Sequence, residues 1–145
     1  MTPSTTQAQD IAHILATCRT VAVVGLSPKP HRDSYEVAQY MQAQGWRIVP
    51  INPAAQVREI LGEPVYPSLL EAAKQVQIDL VDVFRNSADV PPVAEEAIAT
   101  GAKALWLQLG IENTAATDKA RAAGLTVVQN RCLLIEHRRL IAKSV

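Results

Sequence analysis

Aromatic residues are scarce in this chain: one phenylalanine, two tryptophans and three tyrosines among 145 residues. That scarcity argues against a protein that stacks nucleobases on rings. Neither sign of charge is in excess, since Lys plus Arg and Asp plus Glu each number 14, whereas a general nucleic-acid binder carries a basic surplus. The two cysteines, Cys18 and Cys132, show no CxxC spacing and are expected as free thiols in a reducing compartment. His13, His31 and His137 are dispersed, so no metal cluster is predicted. No apolar run reaches the length of a membrane span. The opening Met-Thr-Pro-Ser-Thr-Thr lacks the basic-then-apolar pattern of a secretion signal. These absences predict a cytoplasmic protein with no nucleic-acid or membrane partner. Whether it has a protein partner or self-associates is left open.

What is present is an Ala-, Val-, Leu- and Ile-rich chain, 48% hydrophobic, of a length that suits one domain with a real core. An N-terminal helix over Thr6–Cys18 is expected to carry Ile11, Ile14, Leu15 and Cys18 on one face, so that residues 1–19 pack on a domain of residues 20–145. Val21–Val24 is apolar throughout, as a strand covered on both faces should be. Pro28 and Pro30 keep the following segment out of a helix. Ser34 is predicted to cap a helix through Gln44, ended by Gly45. Arg47–Asn52 reads as the second strand, with Pro50 arguing for a sheet edge. A loop spans Ala54–Glu63, and Val65-Tyr66 a brief extended piece.

Ser68-Leu-Leu-Glu71 is a capping box opening a helix to about Val76. Asp79–Phe84 is the third main strand, and Asp82 within it is expected at a sheet surface or paired. A helix follows over Val90–Thr100, with Pro91-Pro92 in its first turn. Then come a strand over Lys103–Leu109, a helix capped by Asn113, a strand over Leu125–Gln129 and a helix over Leu133–Ile141. Trp46 and Trp106 are expected in the core. This alternation predicts an α/β, Rossmann-like three-layer sandwich with a parallel sheet of about five strands.

Open parallel sheets bind ligands beyond the carboxyl ends of their strands, which singles out five clusters. Gly25, Leu26, Ser27, Lys29 and Arg32 follow the first strand, with Ser34 at the next helix start. A helix N-terminus presents free amides and partial positive charge to a phosphate. Gly25 is either a turn residue or the point where a pyrophosphate approaches the backbone. The dinucleotide pattern GxGxxG is incomplete, because Ser27 and Pro30 occupy the second and third glycine positions. Asn52 and Pro53 end the second strand. A neutral Asn52, where an NAD protein places an acid, admits a phosphorylated ribose, as in coenzyme A or NADP. Phe84 and Arg85 end the third main strand, Leu109 the next. Cys132 is expected as an unreactive thiol and Cys18 as a structural one.

The blocks Val23-Val-Gly-Leu-Ser27 with Arg32 and Ser34, Ile51-Asn-Pro53, Leu80-Val-Asp-Val-Phe-Arg85, Ala102 to Gly110, and Asn130-Arg-Cys132 through Glu136-His137 resemble the small single-domain CoA-binding proteins. These in turn resemble the N-terminal CoA-binding domain of the succinyl-CoA synthetase α subunit. The resemblance implies coenzyme A or acyl-CoA as ligand. Its phosphates would lie on Gly25, Ser27, Lys29, Arg32 and Ser34, and its nucleotide would border Asn52 and Pro53. Phe84, Arg85 and Leu109 would line the groove, and Cys132 would lie toward the thiol end. Relatives often carry a base shortly after the second strand, where this chain has Ala54-Ala55-Gln56. His137 falls in a CoA-domain block and does not inherit the synthetase's phosphohistidine role. A binding module without its own turnover, an NAD(P)-dependent enzyme or redox sensor, and a detached subunit of an ADP-forming acyl-CoA synthetase are the three functions these features admit.

Overall fold

The computed structural model describes residues 3–144, with side chains from Gln7 to Lys143. Five parallel strands form one sheet: β1 (Thr20–Val24), β2 (Arg47–Ile51), β5 (Leu80–Val83), β6 (Ala104–Leu107) and β7 (Thr126–Val128). Their order is β2-β1-β5-β6-β7. Every residue of β5 and β6 is buried, the physical consequence of covering a parallel sheet on both faces.

One face, built from Ala22, Val24, Val81, Val83, Leu105 and Leu107, carries α3 (Leu69–Ala73), α4 (Val90–Ala99) and α5 (Thr114–Ala122). The other, with Val21, Val23, Leu80, Trp106 and Val128, carries α1 (Pro3–Thr17), α2 (Asp33–Ala43) and α6 (Leu133–Ser144). Cys18 and both tryptophans lie in this second core. The period-2 alternation along each strand sorts the two cores.

Pro50 sits in β2 at the sheet edge, as its chemistry demands. Its carbonyl accepts from Tyr66 N–H at 2.9 Å on the outer side, so its donorless nitrogen also faces outward. The expected loop before Tyr66 instead holds a small hairpin, β3 (Glu59–Ile60) with β4 (Glu63–Pro64). Leu61 and Gly62 turn it with positive φ of 55° and 78°, the backbone of a two-residue hairpin turn. Sequence pattern missed it because leucine rarely takes that conformation. Gln42 of α2 secures the turn, donating to the Leu61 carbonyl at 2.9 Å. Ser68 and Asn113 cap α3 and α5 as predicted, accepting from Glu71 N–H and Ala116 N–H.

At the amino end of the sheet, Asp79 Oδ2 accepts from the backbone amides of Arg19 and Thr20 at 2.9 and 3.0 Å, with Lys103 Nζ 3.6 Å from Oδ1. Burial alone would raise this carboxyl, but the two amides and Lys103 outweigh it and hold it below its ordinary value of 3.8. A depressed folded value stabilises the fold above the ordinary value and loses that contribution as pH falls. Asp79→Asn should therefore cost about 1 kcal/mol at pH 7, a difference that fades below the ordinary carboxylate range. Urea unfolding at pH 7 and pH 3 checks both halves. Equal losses at the two values would contradict a charge-assisted bond.

Candidate functional site

The strand order reverses between β1, whose next strand in the sheet lies to one side, and β5, whose next strand lies to the other. A crevice opens above the carboxyl ends of two such strands. Gly25 and Phe84 stand there. Phe84 N–H donates to the Val24 carbonyl at 2.8 Å, and Gly25 N–H to the Ile51 carbonyl at 2.8 Å. A Cβ on Gly25 would lie 2.3 Å from the Phe84 carbonyl oxygen, and its φ is +88°. The glycine is thus needed for two strand ends to close on one another, whatever binds above them.

The loop after Gly25 folds on its own serines. Ser34 Oγ accepts from Ser27 N–H at 3.0 Å, and Ser27 Oγ from Lys29 N–H at 3.1 Å. Ser34 therefore does not cap α2. It is buried inside the first turn, and the cap position falls to Arg32, whose side chain makes no capping bond. Among the described residues, α2 thus begins without the side-chain cap that α3 and α5 possess. Its opening amides remain for another acceptor. Lys29 and Arg32 are exposed beside it, in no ion pair of the described residues. Asp33 and Glu36 in the same first turn partly offset the helix charge, so the two cations matter for any anion held here.

Two hollows meet over the crevice. The smaller, about 430 Å³, is lined by Gly25, Ser27, Lys29, Arg32, Asp33, Ser34 and Phe84. The larger, about 880 Å³, runs from Asp33 and Glu36 past Phe84 and Arg85 to Gln108, Leu109 and Cys132. Asp33 and Phe84 border both, so the two form one groove. Its combined size suits a small-molecule site. Leu109 and Ile135 expose 64% and 43% of their surface on the wall of the larger hollow, an apolar wall open to a ligand.

The other expected residues are distributed unevenly. Leu26 is 0% exposed. Its side chain belongs to the α1–α2–α6 core, and only its backbone can face a ligand. Asn52 Nδ2 donates to the Leu26 carbonyl at 2.9 Å and its Oδ1 accepts from Ala54 N–H at 2.9 Å. Asn52 thereby latches the end of β2 to the loop, a positioning task its sequence position does not reveal. Pro53 is exposed beyond it and lines neither hollow. Arg85 is half-buried in the groove wall and in no ion pair of the described residues. Cys132 is half-buried at the start of α6, its carbonyl accepting from Glu136 N–H.

Two polar residues were misread or missed. Asp82 is neither at a surface nor paired: it is 0% exposed and neither carboxyl oxygen has a partner. Burial pushes it well above the ordinary carboxylate value. Gln108 was overlooked between Leu107 and Leu109. A polar residue ending the apolar run Ala104–Leu107 at a carboxyl strand end was the available signal.

The family model described as CoA binding domain matches residues 19–138. The chain belongs to the CoA-binding domain family. Uncharacterized protein YneT of Bacillus subtilis is 39% identical over 128 residues, 88% of this chain and 92% of that protein. A hypothetical protein from Pyrococcus horikoshii OT3 shares 40% identity with a TM-score of 0.85, covering 92% of each chain. At the level of fold alone, the family chain also matches 26% of the dinucleotide-forming acetyl-coenzyme A synthetase 1 of Ca. Korarchaeum cryptofilum. That match has a TM-score of 0.66 at 21% identity and covers 77% of this chain. No described helix is long and apolar enough to cross a membrane.

Proposed function

We propose that this protein binds coenzyme A or an acyl-CoA in the groove over the β1–β5 crevice, without chemical turnover of its own. The observation that carries the reading is the uncapped start of α2 beside unpaired Lys29 and Arg32, opening into a longer hollow. The diphosphate would lie against the Ser27–Ser34 loop and the first-turn amides, where backbone donors and cations stabilise it together. The remaining arm would run past Phe84 and Arg85 toward Leu109 and Cys132. Membership of the CoA-binding domain family supports this ligand. The groove's acids, Asp33, Glu36 and Asp89, are exposed, and no described acid–base hydrogen bond joins them to a partner, which supports a binding rather than a catalytic role.

Isothermal titration of the protein with coenzyme A, NADP and NAD tests the reading. Coenzyme A should bind and NAD should not. Binding of NADP with no response to coenzyme A would replace it by a nicotinamide function. Arg32→Ala should weaken coenzyme A roughly tenfold to a hundredfold, with the larger effect at low salt. Unchanged affinity would put the phosphates elsewhere. Activity as part of an ADP-forming acyl-CoA synthetase would require a partner chain, and co-purification with one is the observation that favours it.

A further inference from the structure

Tyr40 and His137 join α2 to α6 one turn behind the groove. The Tyr40 hydroxyl and His137 Nδ1 lie 3.0 Å apart, and the two rings meet edge to face with centroids 5.4 Å apart. Both helices wall the larger hollow, α2 with Asp33, Glu36 and Val37, α6 with Leu134 and Ile135. Tyr40 follows Glu36 and Val37 by one turn, and His137 follows Leu134 by three residues, so the bond ties the backs of the two walls together. Trp46 closes the imidazole in from a third side, its ring centroid 6.4 Å away. The charges laid on this cluster are of one sign. The Arg19 guanidinium lies over the Trp46 ring at 5.5 Å, and that of Arg138 over the Tyr40 ring at 5.4 Å. Arg19 is held in place by its Nη1, which donates to the Leu15 carbonyl at 2.8 Å. Arg47, next to Trp46, is exposed, and His13 of α1 lines a separate hollow with Lys103. The carboxylates on the helices of this face are Asp10 of α1, Asp33 and Glu36 of α2, and Glu136 of α6. Asp33 and Glu36 line the groove and Glu136 is paired with Arg139. None of the four acts on the His137 ring, where Arg19 is the charge that does.

We propose that His137 is a positioning residue for the groove: neutral, it clamps α6 to α2, and on taking a proton it lets the two walls part and the ligand leave. This rests on the coenzyme A reading and adds a regulation to that site. In the neutral ring with its proton on Nε2, the Tyr40 hydroxyl donates to Nδ1. In the imidazolium both nitrogens are donors, so the hydroxyl must turn to accept. A third positive charge then arises beside Arg19 and Arg138 with no carboxylate to meet it. Burial, and after it Arg19, hold the imidazole below its usual value of 6.5. The unfolded chain therefore takes the proton first as pH falls through 6.5. The clamp is at full strength above that value and weakens below it. A ligand that needs both walls in place binds the clamped form. It must then lower the affinity of His137 for a proton by the same factor by which the proton lowers affinity for the ligand.

Titrations with coenzyme A at pH 7.5 and pH 5.5 test this, using the wild type and His137→Gln, whose amide oxygen can accept from Tyr40 but takes no proton. His31 of the phosphate loop and the ligand's own phosphates also titrate in this range, and they do so equally in both proteins. Between the two pH values the wild type should lose roughly threefold to tenfold more affinity than the variant. Parallel pH profiles would overturn the proposal even if the variant binds more weakly throughout, because a residue with only a structural role gives a constant factor. Failure of the wild type to bind coenzyme A at pH 7.5 would overturn the functional reading and this proposal with it, whereas binding with parallel profiles overturns the proposal alone. If the variant does not fold, the wild type still decides: the titration midpoint of the His137 ring resonances should move down when coenzyme A saturates the protein. A midpoint that stays in place or rises while coenzyme A binds would refute the coupling.

Discussion

The Gly25→Ala protein is expected to lose about 3 kcal/mol of stability or more, and with it the groove. Two effects add. A left-handed backbone costs a side-chain-bearing residue roughly 1–2 kcal/mol, and Gly25 holds φ +88°. The new Cβ would also stand 2.3 Å from the Phe84 carbonyl oxygen, part of a residue whose own N–H donates to the Val24 carbonyl and whose preceding carbonyl, Val83, accepts from Gln108 N–H. Relief requires the strand ends to part, at the place where the proposed phosphate site and the arm's groove meet. Gly45→Ala is the control, because its φ is +93° with nothing within 4 Å of a Cβ. It should show the conformational cost alone and leave ligand affinity intact. Denaturant unfolding of both variants, with titration of each by coenzyme A, separates the two. Equal losses would mean that the crevice yields easily and that close packing there is unimportant.

Asp82→Val should act in the opposite direction, stabilising the fold by about 2 kcal/mol at pH 7. Asp82 lies in β5 with Val23 and Trp106 as its register partners on the neighbouring strands. Its carboxyl is fully buried with no hydrogen bond. Burying an unpartnered polar group is costly, and valine is apolar, of comparable size, and suits a covered strand. A domain of this size should melt higher by about 2–4 °C per kcal/mol gained. The pH dependence supplies a second signature. Because burial raises the folded carboxyl well above its ordinary 3.8, the folded state keeps a proton that the unfolded chain releases once pH exceeds that value. Wild-type stability therefore falls as pH rises from there toward the folded value, and below 3.8 the group contributes no slope. Asp82→Val removes this slope. A variant no more stable than the wild type, with an unchanged pH profile, would show that the carboxyl has an acceptor or donor after all.

Most of the scaffold was legible. Covered parallel strands need unbroken apolar runs, and Val21–Val24 and Ala104–Leu107 announce themselves that way. Pro50 revealed the sheet edge because a proline has no donor to give an inner neighbour. Ser68 and Asn113 revealed helix starts because the bond they make reaches only three residues ahead. Ser34 broke the same rule. It carries a capping side chain at a helix start, but its hydroxyl serves Ser27, seven residues back, so Arg32 takes the cap position unaided. The hairpin at Glu59–Pro64 was hidden by a leucine in a backbone conformation that glycine normally marks.

The candidate site divides along the same line. The string of residues alone fixed the alternation of strands and helices, the strand ends that gather at one edge, and the blocks that mark a CoA-binding domain, since all of these are properties of neighbours in the chain. Only the tertiary structure decided which polar groups are already satisfied and which are left over. Asn52 is occupied by Leu26, 26 residues away; Gln108 has one atom held by Leu133, 25 residues on, and one free; Asp82 has none. A hydrogen bond saturates, so whether a side chain can reach a ligand depends on partners brought close by folding, and no local pattern records them.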